Sequence, residues 1–556
     1  MIARIAVVSG YLLLLLCIGV VARRRSKRGL ADYFLASRSL SPLVLFLTMA
    51  ATNFSAFTVF GFSGAGWRMG YSFYPIMAFG TGFMALTFVL IGEPIRRLGE
   101  QHGIITPPEA VYKLSRSRGL QLLFLGVMAV FTLPYLAMQP MAAGYALQTL
   151  LGIPYFAGAA LMTCVMLLYT YLGGFRGVAW TDVLQGGMLI SLLVVALRYI
   201  AGPFGGLTAA NQAAAAAVPE LFSRPGLGGA MTPGIWFGYM LLWFLCDPMF
   251  PQLFQRFYAA RDARSLRRTL TLYPLLTGFL FLLPVSIGVI GRLAVSELPA
   301  GMASDQILPL LLNRYAPPWI EALVLVAALA ALMSTLDSQL LTLSSMITRD
   351  LIEPGIERYL IRRRSTWGHD YAQTWVGKAV VTVLAFAGLA IAWKPPASFL
   401  EIATETFTGL AVLFPTVIAL LYWRRVTAAG AITSILVGEA LVVGYHFGWL
   451  PTLGTLPVIP VIAGTIVVLV AVSLLAPRSR AQPSPVRLFE QRWKRWAWVA
   501  TFAALFAAAN DFWDWGDSQL GWLGYPQWLW RSTGLCVLAA VAFTMFGRHA
   551  GAKSKR

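Results

Sequence analysis

The chain has 556 residues, 58% of them hydrophobic and only 12% charged, with a mean hydropathy of +0.70. Soluble domains average about 25% charged residues, and they do not carry a dozen apolar runs of the roughly 20 residues needed to cross a hydrocarbon layer as helix. A soluble enzyme is therefore excluded. The formal net charge of +20 invites a nucleic-acid reading, but Lys and Arg gather at 23–28, 96–118, 256–268, 349–364, 424–425, 478–495 and 548–556. These loops alternate with loops almost free of basic residues, which is the asymmetry that orients membrane proteins. A basic face against anionic membrane lipid accounts for the charge, with no nucleic acid required. Cys17, Cys164, Cys246 and Cys536 lie in apolar runs without metal-site or disulfide spacing.

The first apolar stretch, 5–22, has one Arg before it and three after it, the reverse of a cleaved signal. From there the hydropathy pattern predicts helices near 5–22, 41–66, 71–93, 120–148, 153–173, 182–202, 233–251, 270–292, 317–346, 377–393, 398–423, 427–446, 455–475, 496–511 and 530–547. These make about 15 transmembrane helices in an all-α polytopic protein, N-terminus outside and C-terminus inside. On this topology only eight of the 43 basic residues lie outside: Arg4, Arg68, Arg198, Arg224, Arg292, Arg314, Lys394 and Arg531. The Gly/Ala/Pro-rich segment 203–232 reads as an outer loop with a short surface helix, and 350–376 as a cytoplasmic interfacial helix. Trp513, Trp515, Trp522, Trp528 and Trp530 read as an interfacial aromatic belt.

Polar residues inside spans mark function, because an ionisable or hydrogen-bonding group in lipid is costly. The second span contains Thr52, Asn53 and Ser55, followed by Gly61, Gly64 and Gly66. This pattern suits either a broken helix offering free backbone groups or small-residue packing between helices. In the ninth span, Ala331, Ser334, Thr335, Asp337 and Ser338 recur at the three- and four-residue spacings that share a helix face. Hydroxyls, carbonyls and a carboxylate form a hard all-oxygen set suited to an alkali cation. In the run Cys246-Asp247-Pro248-Met249-Phe250-Pro251, two prolines break the seventh span.

Five stretches, in register over about 20–475, resemble the sodium:solute symporter family, which includes proline, pantothenate, galactose and iodide transporters. They are DYFLASRSLSP (32–42), ATNFSAF (51–57), YTYLGGFRGVAWTDVLQG (169–186), FPQLFQRFYAARD (250–262) and AALMSTLDSQLL (330–341). The resemblance implies a leucine-transporter-type fold of two inverted five-helix repeats, 41–202 and 233–425, with 203–232 as the outer loop between them. Residues 1–40 form an extra N-terminal helix and loop, 426–480 additional helices, and 481–556 a two-helix extension of unknown partner. It also implies a sodium site built from the carbonyls of Ala51, Phe54 and Ala331 and the hydroxyls of Ser334 and Thr335. A second cation position would use Asp182, Asp337 and Ser338. Asn53, Ser55, Thr58, Trp243 and Phe244 are candidate solute contacts by position.

The expected function is sodium-coupled uptake of a small organic solute by alternating access, across a bacterial-type inner membrane. Two rivals stand beside it: proton coupling through Asp337, and a transporter-like sensor. No nucleophile–base pair or metal cluster in the spans points to an enzyme, so sodium is the one ion expected.

Overall fold

Within a bilayer every backbone amide and carbonyl needs a partner, and helices supply one without leaving the segment. The computed structural model describes residues 2–25, 34–35, 38–354, 369–395, 398–477, 486, 488–489 and 491–550, and its described elements are helical throughout apart from isolated bridges such as Leu40 with Ala260. Ten helices are long and apolar enough to cross a membrane, and three shorter apolar helices, Pro42–Asn53, Tyr155–Tyr171 and Trp375–Ile391, accompany them. Length and apolarity thus give a smaller number of spans than the expected fifteen. Most of the interfacial helix expected over 350–376 lies outside the described residues, as do 26–28 of the RRRSKR loop and 32, 33, 36 and 37 of the first family motif.

The chain begins with α1 (Ile2–Arg25). The second span is α2 (Pro42–Asn53), a break, a π-helical turn (Phe57–Gly61) and α3 (Phe62–Met69). Residues 70–92 continue as short α, 3-10 and π segments. Then come α4 (Glu93–His102), α5 (Pro107–Ser115) and α6 (Arg118–Leu151). The two helices expected at 153–173 and 182–202 meet at a kink at Gly174, whose φ of 53° and ψ of −159° suit only glycine, and are labelled together as α7 (Tyr155–Ala201). The outer segment carries α8 (Leu207–Ala217).

The seventh span is broken as the prolines predict: α9 (Pro233–Cys246), a 3-10 turn at Asp247–Met249, and α10 (Pro251–Ala259). Next come α11 (Ala263–Leu280), α12 (Leu282–Ala294), α13 (Ile307–Tyr315) and the buried α14 (Pro318–Met346). Asp262 caps α11: partial burial pushes its carboxyl up, but bonds from Ser265 outweigh this and hold it below the usual range. The chain ends with α15 (His369–Ile391), α16 (Phe399–Ala411), α17 (Leu413–Tyr422), α18 (Ala428–His446), α19 (Val458–Leu475), α20 (Arg492–Asn510) and α21 (Gln527–Ala550).

The glycines and the polar residues of the second span divide the two roles considered for it. A Cβ on Gly66 would lie 2.5 Å from the Val285 carbonyl, and one on Gly288 would lie 2.1 Å from the Ser63 carbonyl. α3 and α12 therefore meet backbone to backbone, as small residues allow in membranes. The packing reading holds for the glycines. It does not hold for Thr52, Asn53 and Ser55, which sit at the break.

The late tryptophans do not act as one belt. Trp513 and Trp522 are about three-quarters exposed, but Trp528 is fully buried and donates to the Phe222 carbonyl at 2.9 Å. The buried Arg224 explains this. It pairs with Asp511 at 2.5 Å, donates to the Asp514 carbonyl, and stacks over Trp528 and Trp515 at 5.1 and 5.8 Å. Asn211 of α8 adds a bond to the Leu523 carbonyl. The outer segment thus clamps the C-terminal extension. Removing one partner of a buried ion pair typically costs about 3–5 kcal/mol, so Arg224→Ala is expected to lower the thermal midpoint in detergent and to open 511–526 to protease first. Unchanged cleavage there would show that the clamp does not hold the extension.

Candidate solute and cation site

The site begins with backbone groups released by the break in α2. Phe54 ends the helix at φ −88° and ψ 90°. The Ala56 amide then donates to the Gln139 side chain at 3.1 Å, not to the Thr52 carbonyl one turn back, and the Phe57 amide donates to Ser55 Oγ at 3.2 Å. Gln139 is itself tied to the Tyr135 carbonyl on α6. The freed carbonyls meet α14. Ser334 Oγ donates to the Ala51 carbonyl at 2.6 Å or the Ala331 carbonyl at 2.8 Å, and Thr335 Oγ1 to the Thr52 carbonyl at 3.0 Å or Ala331 at 3.4 Å. Each hydroxyl has one proton, so two protons serve three carbonyl oxygens. An all-oxygen set with spare lone pairs fits a hard, weakly polarising cation.

Four of the five residues expected at the sodium site converge here, and Thr52 joins them by its carbonyl. Phe54 contributes to the site's wall: its ring stacks near Tyr273 and meets Phe281 edge-on at 5.5 Å.

The three residues expected at a second cation position divide into two groups. Asp182 and Ser338 converge, but on a guanidinium. Arg256 of α10, fully buried, bonds Asp182 Oδ2 at 2.9 Å, Ser338 Oγ at 2.8 Å, Thr48 Oγ1 at 3.1 Å and the Gln252 carbonyl at 2.9 Å. Thr48 also donates to Asp182, and Phe175 lies under the guanidinium at 5.4 Å. Asp337 points elsewhere, accepting from the hydroxyls of Tyr169 and of Thr170, the latter at 3.0 Å. Neighbours on a helix project about 100° apart, so Asp337 faces Tyr169 and Thr170 of α7 while Ser338 faces Thr52 of α2 and Arg256 of α10. Reading 256–268 as one basic loop missed Arg256. Its signal was the row Gln252, Gln255, Arg256, whose three- and four-residue spacing puts polar groups on one face of α10.

Beside the break lies a closed cavity of about 20 Å³, bounded by Asn53, Thr58, Thr81, Tyr135, Trp243, Asp247 and a set of phenylalanines including Phe57, Phe250, Phe281 and Phe407. That is room for about one water, so aromatic rings close over the polar groups in this conformation. Asn53 Nδ2 donates to Tyr273 Oη at 2.7 Å and to Asp247 at 3.3 Å. Trp243 Nε1 is buried and has no hydrogen-bond partner among the described residues, and the buried Thr81 hydroxyl lies beside Asp247. Of the residues expected to contact solute, Asn53, Thr58 and Trp243 line this cavity. Ser55 is buried just behind, capping the π-helical turn. Phe244 does not join them, since the next position on α9 faces away: it packs on Phe83, Phe414 and Phe506, toward α20.

The profile of the sodium:solute symporter family matches residues 33–438. The chain belongs to the sodium:solute symporter family. Its similar curated relatives include the sodium/pantothenate symporter of Escherichia coli (strain K12), 27% identical over 454 residues, covering 81% of this chain and 92% of that protein. The sodium/proline symporter of the same strain is 28% identical over 463 residues, covering 79% and 87%. Among solved structures, a substrate-bound, outward-open sodium-coupled sialic acid symporter superposes with a TM-score of 0.71 at 20% identity, over 87% of this chain and 99% of that one. The nucleobase-cation symporter Mhp1, in a closed conformation, gives 0.53 at 16% identity over 81% and 96%. The symporter family match ends before α19, so α20 and α21 are additions to its conserved region.

Within this symporter frame the Asp182–Arg256 pair is a structural keystone. Arg256→Gln leaves a buried carboxylate unpaired, at a typical cost of about 3–5 kcal/mol. Asp182→Asn/Arg256→Gln together should cost clearly less than the sum of the two single changes, measured by thermal unfolding with each variant. Strict additivity would show that the two side chains do not act as a pair.

Proposed function

We propose that this symporter couples sodium entry to the uptake of a small organic solute across a bacterial inner membrane by alternating access. The observation that carries the reading is the junction of α2 and α14, where two hydroxyls and three carbonyls face one another across the break. A sodium ion there would be held by Ala51, Ala331, Ser334 and Thr335, with the Thr52 carbonyl close and the Phe54 carbonyl at the helix end. Ion binding would draw the two elements together. Coupling follows if ion and solute each favour the same arrangement of one two-state element, with 41–202 and 233–425 as the two inverted repeats.

The closed aromatic cavity beside the same break supports placing solute and ion on shared elements: Asn53 and Thr58 follow directly on the cation-binding carbonyls. Asp337 faces α7 and not the hydroxyl–carbonyl set, which favours sodium over protons as the coupling ion.

Equilibrium sodium-22 binding to the purified protein tests this without knowledge of the solute. Saturable binding is expected in the wild type, a loss of at least about tenfold in affinity in Ser334→Ala/Thr335→Ala, each such factor being about 1.4 kcal/mol, and near-normal binding in Asp337→Asn. A folded wild type that binds no sodium would sink sodium coupling and bring proton coupling or sensing forward.

A further inference from the structure

Asp247 is a buried carboxylate that the cation site does not use. It is 3% exposed, it closes α9 at the proline break, and it lines the cavity. Its donors are neutral: the Asn53 amide at 3.3 Å, the Cys246 thiol at 3.6 Å and the neighbouring Thr81 hydroxyl. Among the described residues it forms no ion pair, in contrast to Asp182, which has its own arginine. A buried carboxylate is kept when something compensates its charge. Among the described residues hydrogen-bond donors reach it but no cation does, and the position opens onto the space beside the broken helix.

The walls of that space are aromatic. The Phe407 ring of α16 has Tyr135, Trp243 and Phe250 around it, with centroids at 4.9, 5.0 and 4.7 Å. Ring faces attract cations through their quadrupole, most strongly when water is excluded, and sets of aromatic rings recognise ammonium groups in this way. An anionic solute would be repelled by Asp247. A neutral one would leave it uncompensated. A bare metal ion fits poorly too, because Asn53 turns an N–H donor and not an oxygen toward the carboxylate.

We propose that the transported solute is an organic cation of the ammonium type, its charged nitrogen held between Asp247 and the rings of Tyr135, Trp243 and Phe407. This rests on the transporter reading and on the cavity as the solute site. The proposal requires the aromatic wall to open to supply the volume, and it leaves the Trp243 indole for a polar group on the rest of the solute.

The test uses full-length protein in sodium buffer and follows the thermal midpoint during titration. The probes are choline, its uncharged carbon isostere 3,3-dimethylbutan-1-ol, proline as a zwitterion and pantothenate as an anion. Choline is expected to stabilise at concentrations at least about tenfold below the isostere, with proline and pantothenate weaker still. Asp247→Asn should bring the choline-to-isostere ratio close to one, and Phe407→Leu should lower it. Asp247→Glu keeps the charge and should keep the preference, so the test stands if the asparagine variant does not fold. Equal effects of choline and isostere, stronger effects of proline or pantothenate, no effect of choline, or a ratio that survives Asp247→Asn would each overturn the proposal. Sodium-22 binding measured in parallel on the wild type reports separately on the transporter reading: its absence would count against coupling, not against the charge preference.

Discussion

The bond from the Ala56 amide to Gln139 is the constraint on which the site depends. A helix in lipid keeps its carbonyls occupied, and to give them to a solute or an ion it must first be interrupted at a tolerable cost. Here a glutamine on α6 takes the amide that the next helical turn would have used. The Thr52 carbonyl is released where Thr335 waits, and Ser334 meets the Ala51 carbonyl beside it. The break is therefore held open by a third helix, and the cation-type oxygen set follows from it.

A second buried polar system holds the surrounding elements in register. Arg256 reaches from α10 to Thr48 on α2, Asp182 on α7 and Ser338 on α14. A fully buried ion pair is a weak source of net stability, but this one reads the relative position of four elements at once. Both broken spans contribute to it, through α2 and α10. Movement of either break away from α14 must strain or exchange these bonds, which ties conformational change to a small number of side chains.

Much of this was legible in the sequence because it depends on local pattern. The two breaks announced themselves through Thr52, Asn53 and Ser55 on one side and Pro248 and Pro251 on the other. The hydroxyl pair of α14 was readable from helical spacing. What was not legible depends on direction in three dimensions. Phe244 follows Trp243 in sequence but faces α20, and Asp337 precedes Ser338 but faces α7 while Ser338 faces α2 and α10. Trp528 lies among surface tryptophans and is buried because Arg224, some 300 positions earlier, stacks on it. The fifteen hydrophobic runs outnumber the helices long enough to span because proline and glycine cut or bend several of them.

The bend at Gly174 has a mechanical consequence. Tyr169 and Thr170, before the bend, grip Asp337; Asp182, after it, reaches Ser338 through Arg256. Two adjacent residues of α14 are thus tied to α7 on either side of the bend, Asp337 directly and Ser338 through Arg256 of α10. A change of angle at the bend therefore reaches the two ties unequally. The dihedral angles of that single glycine set how the direct and the indirect tie to the helix that carries Ser334 and Thr335 sit relative to one another.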